Sequence, residues 1–180
     1  MKTLGSALVF VVSLGGLTAQ AAKPDKVTVK VNLIDTKGVG QPIGTVTLQD
    51  SKDGVTLTTK LKGLTAGEHG FHVHEKGSCD PAEKEGKPMA GLGAGGHFDP
   101  DATKAHKGPG GGGHKGDLPK LEVSDKGTAN AKLEVPGVKV ADLRGKALMI
   151  HANGDNYADD PKPLGGGGDR VACGVIPDAK

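Results

Sequence analysis

The chain has 180 residues, with 23 Lys and Arg against 21 Asp and Glu, no Trp and a single Tyr. That length suits one domain around one core. A charge balance this even, with aromatics at 2%, supplies neither the basic field nor the stacking platforms of a nucleic-acid binder.

Taken from the N-terminus, Lys2 precedes an apolar run from Leu4 to Leu17, which ends on Ala19-Gln20-Ala21. A short positive start, a short apolar run and an A-x-A site describe a secretory leader. Gly5, Gly15 and Gly16 interrupt the run, and it is too short to span a bilayer comfortably. The expected division is a leader over 1–21 and one domain over 22–180, with cleavage after Ala21 or Ala22. No membrane span is expected in the mature chain. Its two cysteines, Cys79 and Cys173, read as one disulfide in an exported protein.

After the leader, apolar residues recur every second position. Val27, Val29, Val31 and Leu33 alternate with Thr28, Lys30 and Asn32. Val46 and Leu48 repeat the pattern, as do Val55, Leu57, Thr59 and Leu61. Phe71 to His74, Leu121 to Val123, Ala131 to Val135, Lys146 to His151 and Arg170 to Ile176 complete about eight short strands. The 121–123 and 131–135 segments flank a turn at Asp125-Lys126-Gly127. No stripe of 3.6-residue period stands out. The expected fold is all-β, a sandwich or barrel.

Two segments do not read as strands. Residues 79–117 are rich in Gly, Pro and His, and residues 154–169 hold Pro161, Pro163 and four consecutive glycines. Loops this long in a compact domain are usually functional.

All seven histidines lie in the mature chain, five of them between 72 and 114. In a strand, His72 and His74 project from one face while Phe71 and Val73 face the core. Two imidazoles on one face suit one metal. His69 has the opposite parity and reads as structural. His97, His106, His114 and Asp117 offer three imidazoles and a carboxylate, enough for a tetrahedral zinc site. His151 ends a strand and joins His72 and His74 only if its strand end reaches the same rim. Asp155 could accept hydrogen bonds from ligating histidines, or could simply close a turn. Arg170 could steer a small anion, or could form a surface ion pair.

The order of these motifs resembles the copper–zinc superoxide dismutases in their bacterial periplasmic form. The likeness runs from about Val27 to Ile176. It rests on Gly70-Phe71-His72-Val73-His74, Gly95-Gly96-His97-Phe98-Asp99-Pro100 and His114-Lys115-Gly116-Asp117-Leu118-Pro119, with His106 between the last two. It continues in His151-Ala152-Asn153-Gly154-Asp155-Asn156-Tyr157 and Gly167-Gly168-Asp169-Arg170-Val171-Ala172-Cys173-Gly174. The resemblance implies an eight-stranded Greek-key β-barrel, an immunoglobulin-like sandwich with two long metal-site loops. It implies one copper per subunit on His72, His74, His97 and His151. It implies one zinc per subunit on His97, His106, His114 and Asp117, with His97 shared. Asp155 would link a copper ligand to a zinc ligand, Arg170 would guide the anion, and Cys79 and Cys173 would form the intrasubunit disulfide. The implied reaction is disproportionation of superoxide to oxygen and hydrogen peroxide in the periplasm, by Cu(II)/Cu(I) cycling with His97 carrying a proton. Either a monomer or a homodimer fits. A passive metal buffer is the main competing reading, and it would need neither Asp155 nor Arg170.

Overall fold

A computed structural model describes residues 24–179. The expected leader and its cleavage site lie outside the described residues. Strands β1 (Lys26–Asp35), β2 (Gly38–Asp50) and β3 (Gly54–Lys62) follow one another as an antiparallel meander. Their alternation works as expected: Val29 and Val31 are buried while Thr28 and Lys30 are exposed. Next come β4 (Gly67–His69) and β5 (Phe71–His74), with Gly70 between them. The first long loop holds a small hairpin, β6 (Ala82–Lys84) with β7 (Lys87–Met89). The chain continues through β8 (Leu121–Val123), β9 (Thr128–Ala129), β10 (Lys132–Pro136), a one-turn helix α1 (Val140–Leu143), β11 (Ala147–His151) and β12 (Arg170–Val175).

The main antiparallel sheet runs β10-β3-β2-β1-β12-β11-β5, with β9 added on β3. The last strand, β12, therefore sits between the first, β1, and β11. Such long-range returns are what a Greek key requires. The segments flanking the turn at 125–127 do not pair with each other. Thr128-Ala129 turns back onto β3 first, so β10 follows it onto β3 while β8 pairs with β4. α1 buries only Val140 and Leu143, too few positions to write a helical stripe in the sequence.

The core lies between the inward faces of these strands. Val29, Val31, Val46, Leu48, Leu57 and Phe71 are its buried centre, closed by Val73, Leu148 and Ile150. A smaller cluster of Ile34, Cys79, Ala94, Ala147, Met149 and Cys173 sits beneath the first loop. β11 is thus buried on both faces, with Leu148 and Ile150 inward and Ala147 and Met149 under the loop. β5 does the same with different chemistry: Phe71 and Val73 enter the core, and His72 and His74 are buried on its other face.

Candidate metal centre

Two histidines come straight from the register of β5 on β11, where Met149 pairs with His72 and Ala147 with His74. His151 ends β11. A register shift between Ile150 and His151 brings His151 opposite Arg170 of β12. Irregularities of this kind often re-aim a side chain beside a site. His97 arrives from the first loop, bridged backbone to backbone to His74. Phe98 N–H donates to Val73 O (2.9 Å), Gly116 N–H to Phe98 O (2.8 Å) and Val73 N–H to Gly116 O (2.8 Å). This closed triangle ties the loop segments around His97 and Asp117 to the strand that carries His72 and His74.

His72, His74, His97 and His151 are all buried, and one ligand atom from each lies within 4.8 Å of the others. Hydrogen bonds identify the free nitrogens. His74 Nδ1 donates to Gly95 O (2.9 Å), and His151 Nδ1 to Gly168 O (3.1 Å). His72 Nε2 donates to Asp155 Oδ2 (2.7 Å). What remains is His74 Nε2 and His151 Nε2, 3.4 Å apart, and His72 Nδ1, which is buried with no hydrogen-bond partner. Unpaired buried nitrogens facing one another are costly unless something binds them. The chemistry of this donor set fits a copper ion.

The second group converges on one oxygen. The Nδ1 atoms of His97, His106 and His114 lie 3.2, 2.9 and 3.3 Å from Asp117 Oδ1. His114 Nδ1 is off line for a hydrogen bond there and is buried without another partner. His97, His106 and Asp117 also form a close four-atom set with His72, while His114 stands just outside it. Three imidazoles crowding one carboxylate suit a tetrahedral zinc ion. His97 belongs to both groups.

Asp155 joins the groups a second time. His106 Nε2 donates to its Oδ1 (2.8 Å) and His72 Nε2 to its Oδ2. Tyr157 N–H also donates to Oδ1 (2.8 Å). The second loop must pass close over this pair. A Cβ on Gly165, at φ 73°, would collide with Asp155 Oδ1 and His106 Nε2.

Protonation differs between the groups. Burial, more than anything else, lowers His72 to about 3 and His151 to about 4, and it drives His74 well below the usual imidazole range. Burial also opposes a charge on His106, but its hydrogen bonds to Asp117 and Asp155 overcome that and raise it to about 9. Burial pushes both aspartates up. The histidines bonded to them prevail and hold both well below the usual carboxylate range.

A cavity of about 650 Å³ opens over this centre, lined in part by His74, His97, His151 and Arg170. Arg170 donates to Gly91 O and Gly95 O, both at 2.6 Å, so it also braces the segment before His97. The hairpin β6–β7 adds Lys84 and Met89 to the wall. His69 is structural, as expected. It is buried, and its Nδ1 donates to His151 O (2.6 Å). Cys79 and Cys173 form a disulfide, with Cα atoms 5.7 Å apart.

Some contributors left no mark in the sequence. Asp159 Oδ2 accepts His106 N–H (2.9 Å), and the Gly95 and Gly168 carbonyls set which nitrogen His74 and His151 present. Backbone carbonyls have no residue signature.

The family model for copper/zinc superoxide dismutase (SODC) matches residues 42–176. The chain belongs to the copper/zinc superoxide dismutase family. It is 50% identical to superoxide dismutase [Cu-Zn] 2 of Salmonella typhimurium over 177 residues, covering 98% of this chain and 99% of that protein. Among solved structures, the Cu/Zn superoxide dismutase of Brucella abortus superposes with a TM-score of 0.83 at 46% identity, over 84% of this chain and 99% of that one. The monomeric enzyme of Salmonella enterica gives 0.76 at 51% identity, over 84% and 99%. The curled sheet is thus the β-barrel of this family, and copper and zinc are its metals. Among the described residues, no helix is long and apolar enough to cross a membrane.

Proposed function

We propose that this chain disproportionates superoxide to oxygen and hydrogen peroxide in the periplasm, with copper held by His72, His74, His97 and His151 and zinc by His97, His106, His114 and Asp117. The observation that carries the reading is His97, which stands in both groups and whose Nδ1 faces Asp117. Bound copper supplies one-electron cycling between Cu(II) and Cu(I), oxidising one superoxide to oxygen and reducing the next to peroxide.

The chain's own residues do the rest. Arg170 remains cationic, although burial lowers its pKa, and it draws the anion into the cavity. A local positive field raises association rates by ~10- to 10³-fold and weakens with salt. His97 Nε2, the nitrogen turned away from Asp117, takes one proton and returns it to the departing peroxide, whose second proton comes from water. Asp155 fixes the ring orientation of His72 and His106 together. His74 and His151 are locked by carbonyls, so they present the same nitrogen in every turnover.

Export rests on the leader over 1–21, removed after Ala21 or Ala22 to leave a domain over 22–180. The disulfide fits an oxidising compartment. The test is the rate of superoxide loss by protein loaded with one copper and one zinc, at low and high salt. Fast loss that slows with salt is expected. No loss above that of free copper, with both metals bound, would leave a metal buffer.

A further inference from the structure

The outward face of β1, β2, β3 and β10 has no part in the metal centre. It carries Lys26, Lys30, Lys60, Lys62 and Lys132, all exposed. Strand register arranges these residues in rows. Thr28, Thr47, Thr58 and Lys132 form one, beside Lys30, Thr45 and Lys60. Glu134 is the one acidic side chain among these outward positions, and it accepts the Thr56 hydroxyl at 2.9 Å. Of the five lysines only Lys132 approaches a carboxylate, at 3.9 Å, among the described residues. A shallow basin of about 340 Å³ lies between the rows, floored by Thr47, Thr56 and Thr58 and rimmed by Lys26, Lys60 and Lys132.

In a chain whose total charge is nearly balanced, five lysines against one glutamate on one face is a local excess of positive charge. Lys30 and Lys60 are two strands apart, on the order of 10 Å. That is close to a Debye length, so their potentials add at low ionic strength. The chemistry is that of point charges spread over a broad face with hydroxyls between them. No arginine fork is present to grip a single phosphate, and no aromatic is present to stack a base.

We propose that this lysine-rich sheet face docks the protein onto an anionic phospholipid bilayer. Charge complementarity to a continuous negative surface is the argument for that occupant. The orientation suits the enzyme, because ligand strands β5 and β11 stand at the other end of the strand order. Docking through β1, β2, β3 and β10 leaves the cavity with Arg170 open. The inference does not depend on how the metals are assigned.

The test is co-sedimentation of metal-loaded protein with vesicles. Phosphatidylcholine doped with phosphatidylglycerol should bind the protein, pure phosphatidylcholine should not, and binding should fall steeply with salt. The triple variant Lys26→Glu, Lys60→Glu, Lys132→Glu should weaken binding by at least about 100-fold while its rate of superoxide loss is unchanged. A control reversing Lys76, Lys87 and Lys126, exposed elsewhere, should still bind. Three outcomes overturn the proposal: no preference for anionic vesicles, an equal loss in the control, or binding to duplex DNA in preference to vesicles.

Discussion

The two halves of the metal centre are built by different means. His72, His74 and His151 are carried by β5 and β11, so sheet register sets their positions. His97, His106, His114 and Asp117 come from a loop with little regular structure, where backbone bonds to β5 and the carboxylates of Asp117 and Asp155 do the positioning. The electrostatics follow. Burial keeps the strand-borne imidazoles neutral, while Asp117 and Asp155 hold a proton on His106. The strand half therefore offers unprotonated nitrogens with no proton to displace. The loop half must first release a proton.

His97 is where the contrast can be broken most severely: it and His72 stand in both close sets, but His72 Nε2 is taken by Asp155, which leaves His97 to serve both. His97→Ala should lower superoxide loss by more than the ~100-fold that losing an outer partner of a ligand costs. It should also abolish any change in the Cu(II) spectrum on adding zinc. A spectrum that still responds to zinc would separate the two halves.

Asp155 is the second link, and it acts through the ligands. Asp155→Ala should weaken zinc binding ~10- to 100-fold. The effect on copper should be smaller: one ligand loses its partner on each side, but the register of β5 on β11 still holds His72, whereas His106 sits in a loop. Competition with a chromogenic chelator measures both. Equal losses on the two sides would mean that strand register gives the copper half no independence.

The disulfide clips the start of the loop to β12. Its residues are 94 apart in sequence, for which chain entropy gives ~4–5 kcal/mol of stabilisation. Cys79→Ser with Cys173→Ser should lower the melting temperature accordingly. It should also weaken zinc before copper, because the freed segment leads into the loop that carries all four proposed zinc ligands but only one of the copper ligands, His97.

The pH dependence of the metal-free protein should separate the halves by sign. His106 has a folded pKa near 9, above the ordinary imidazole value. Its contribution is complete below about pH 6.5 and is lost as pH rises through about 9. His72 and His151 are depressed to about 3 and about 4, so the unfolded chain takes up protons first and stability falls as pH drops below about 6.5. Asp117 and Asp155 add to that acid loss, since their folded values are also lowered. Thermal melts across pH should show both arms. His106→Gln, or zinc loading, should remove the alkaline one.

The same division explains what could be read from sequence. The alternation in Val27 to Leu33 and Val55 to Leu61 gave the strands, because side chains on a half-buried sheet must alternate. It also placed His72 and His74 opposite Phe71 and Val73. The pairing of β8 with β4 was not legible, since two short strands separated by a long loop carry no local register signal. The hairpin Ala82 to Met89 was hidden among loop residues, none of them buried. The grouping of His97, His106 and His114 with Asp117 was legible as a zinc-type donor set, with a solvated His-rich loop as the lesser alternative, but that His97 is shared with the strand-borne histidines came from family resemblance.

Arg170 tests the contrast most gently, since it touches both halves. It stands on β12 beside His151, yet its fork grips Gly91 and Gly95 of the loop. Arg170→Lys keeps the charge but loses the planar fork. If steering is its main task, Lys should retain most of the rate and its salt dependence. Arg170→Gln should then lose ~10-fold and flatten the salt slope. If bracing matters more, both variants should weaken zinc binding to a similar extent, and Lys should fall with Gln. The cavity favours steering: Arg170 lines it together with His97 and His151, where an arriving anion first meets the proposed copper ligands.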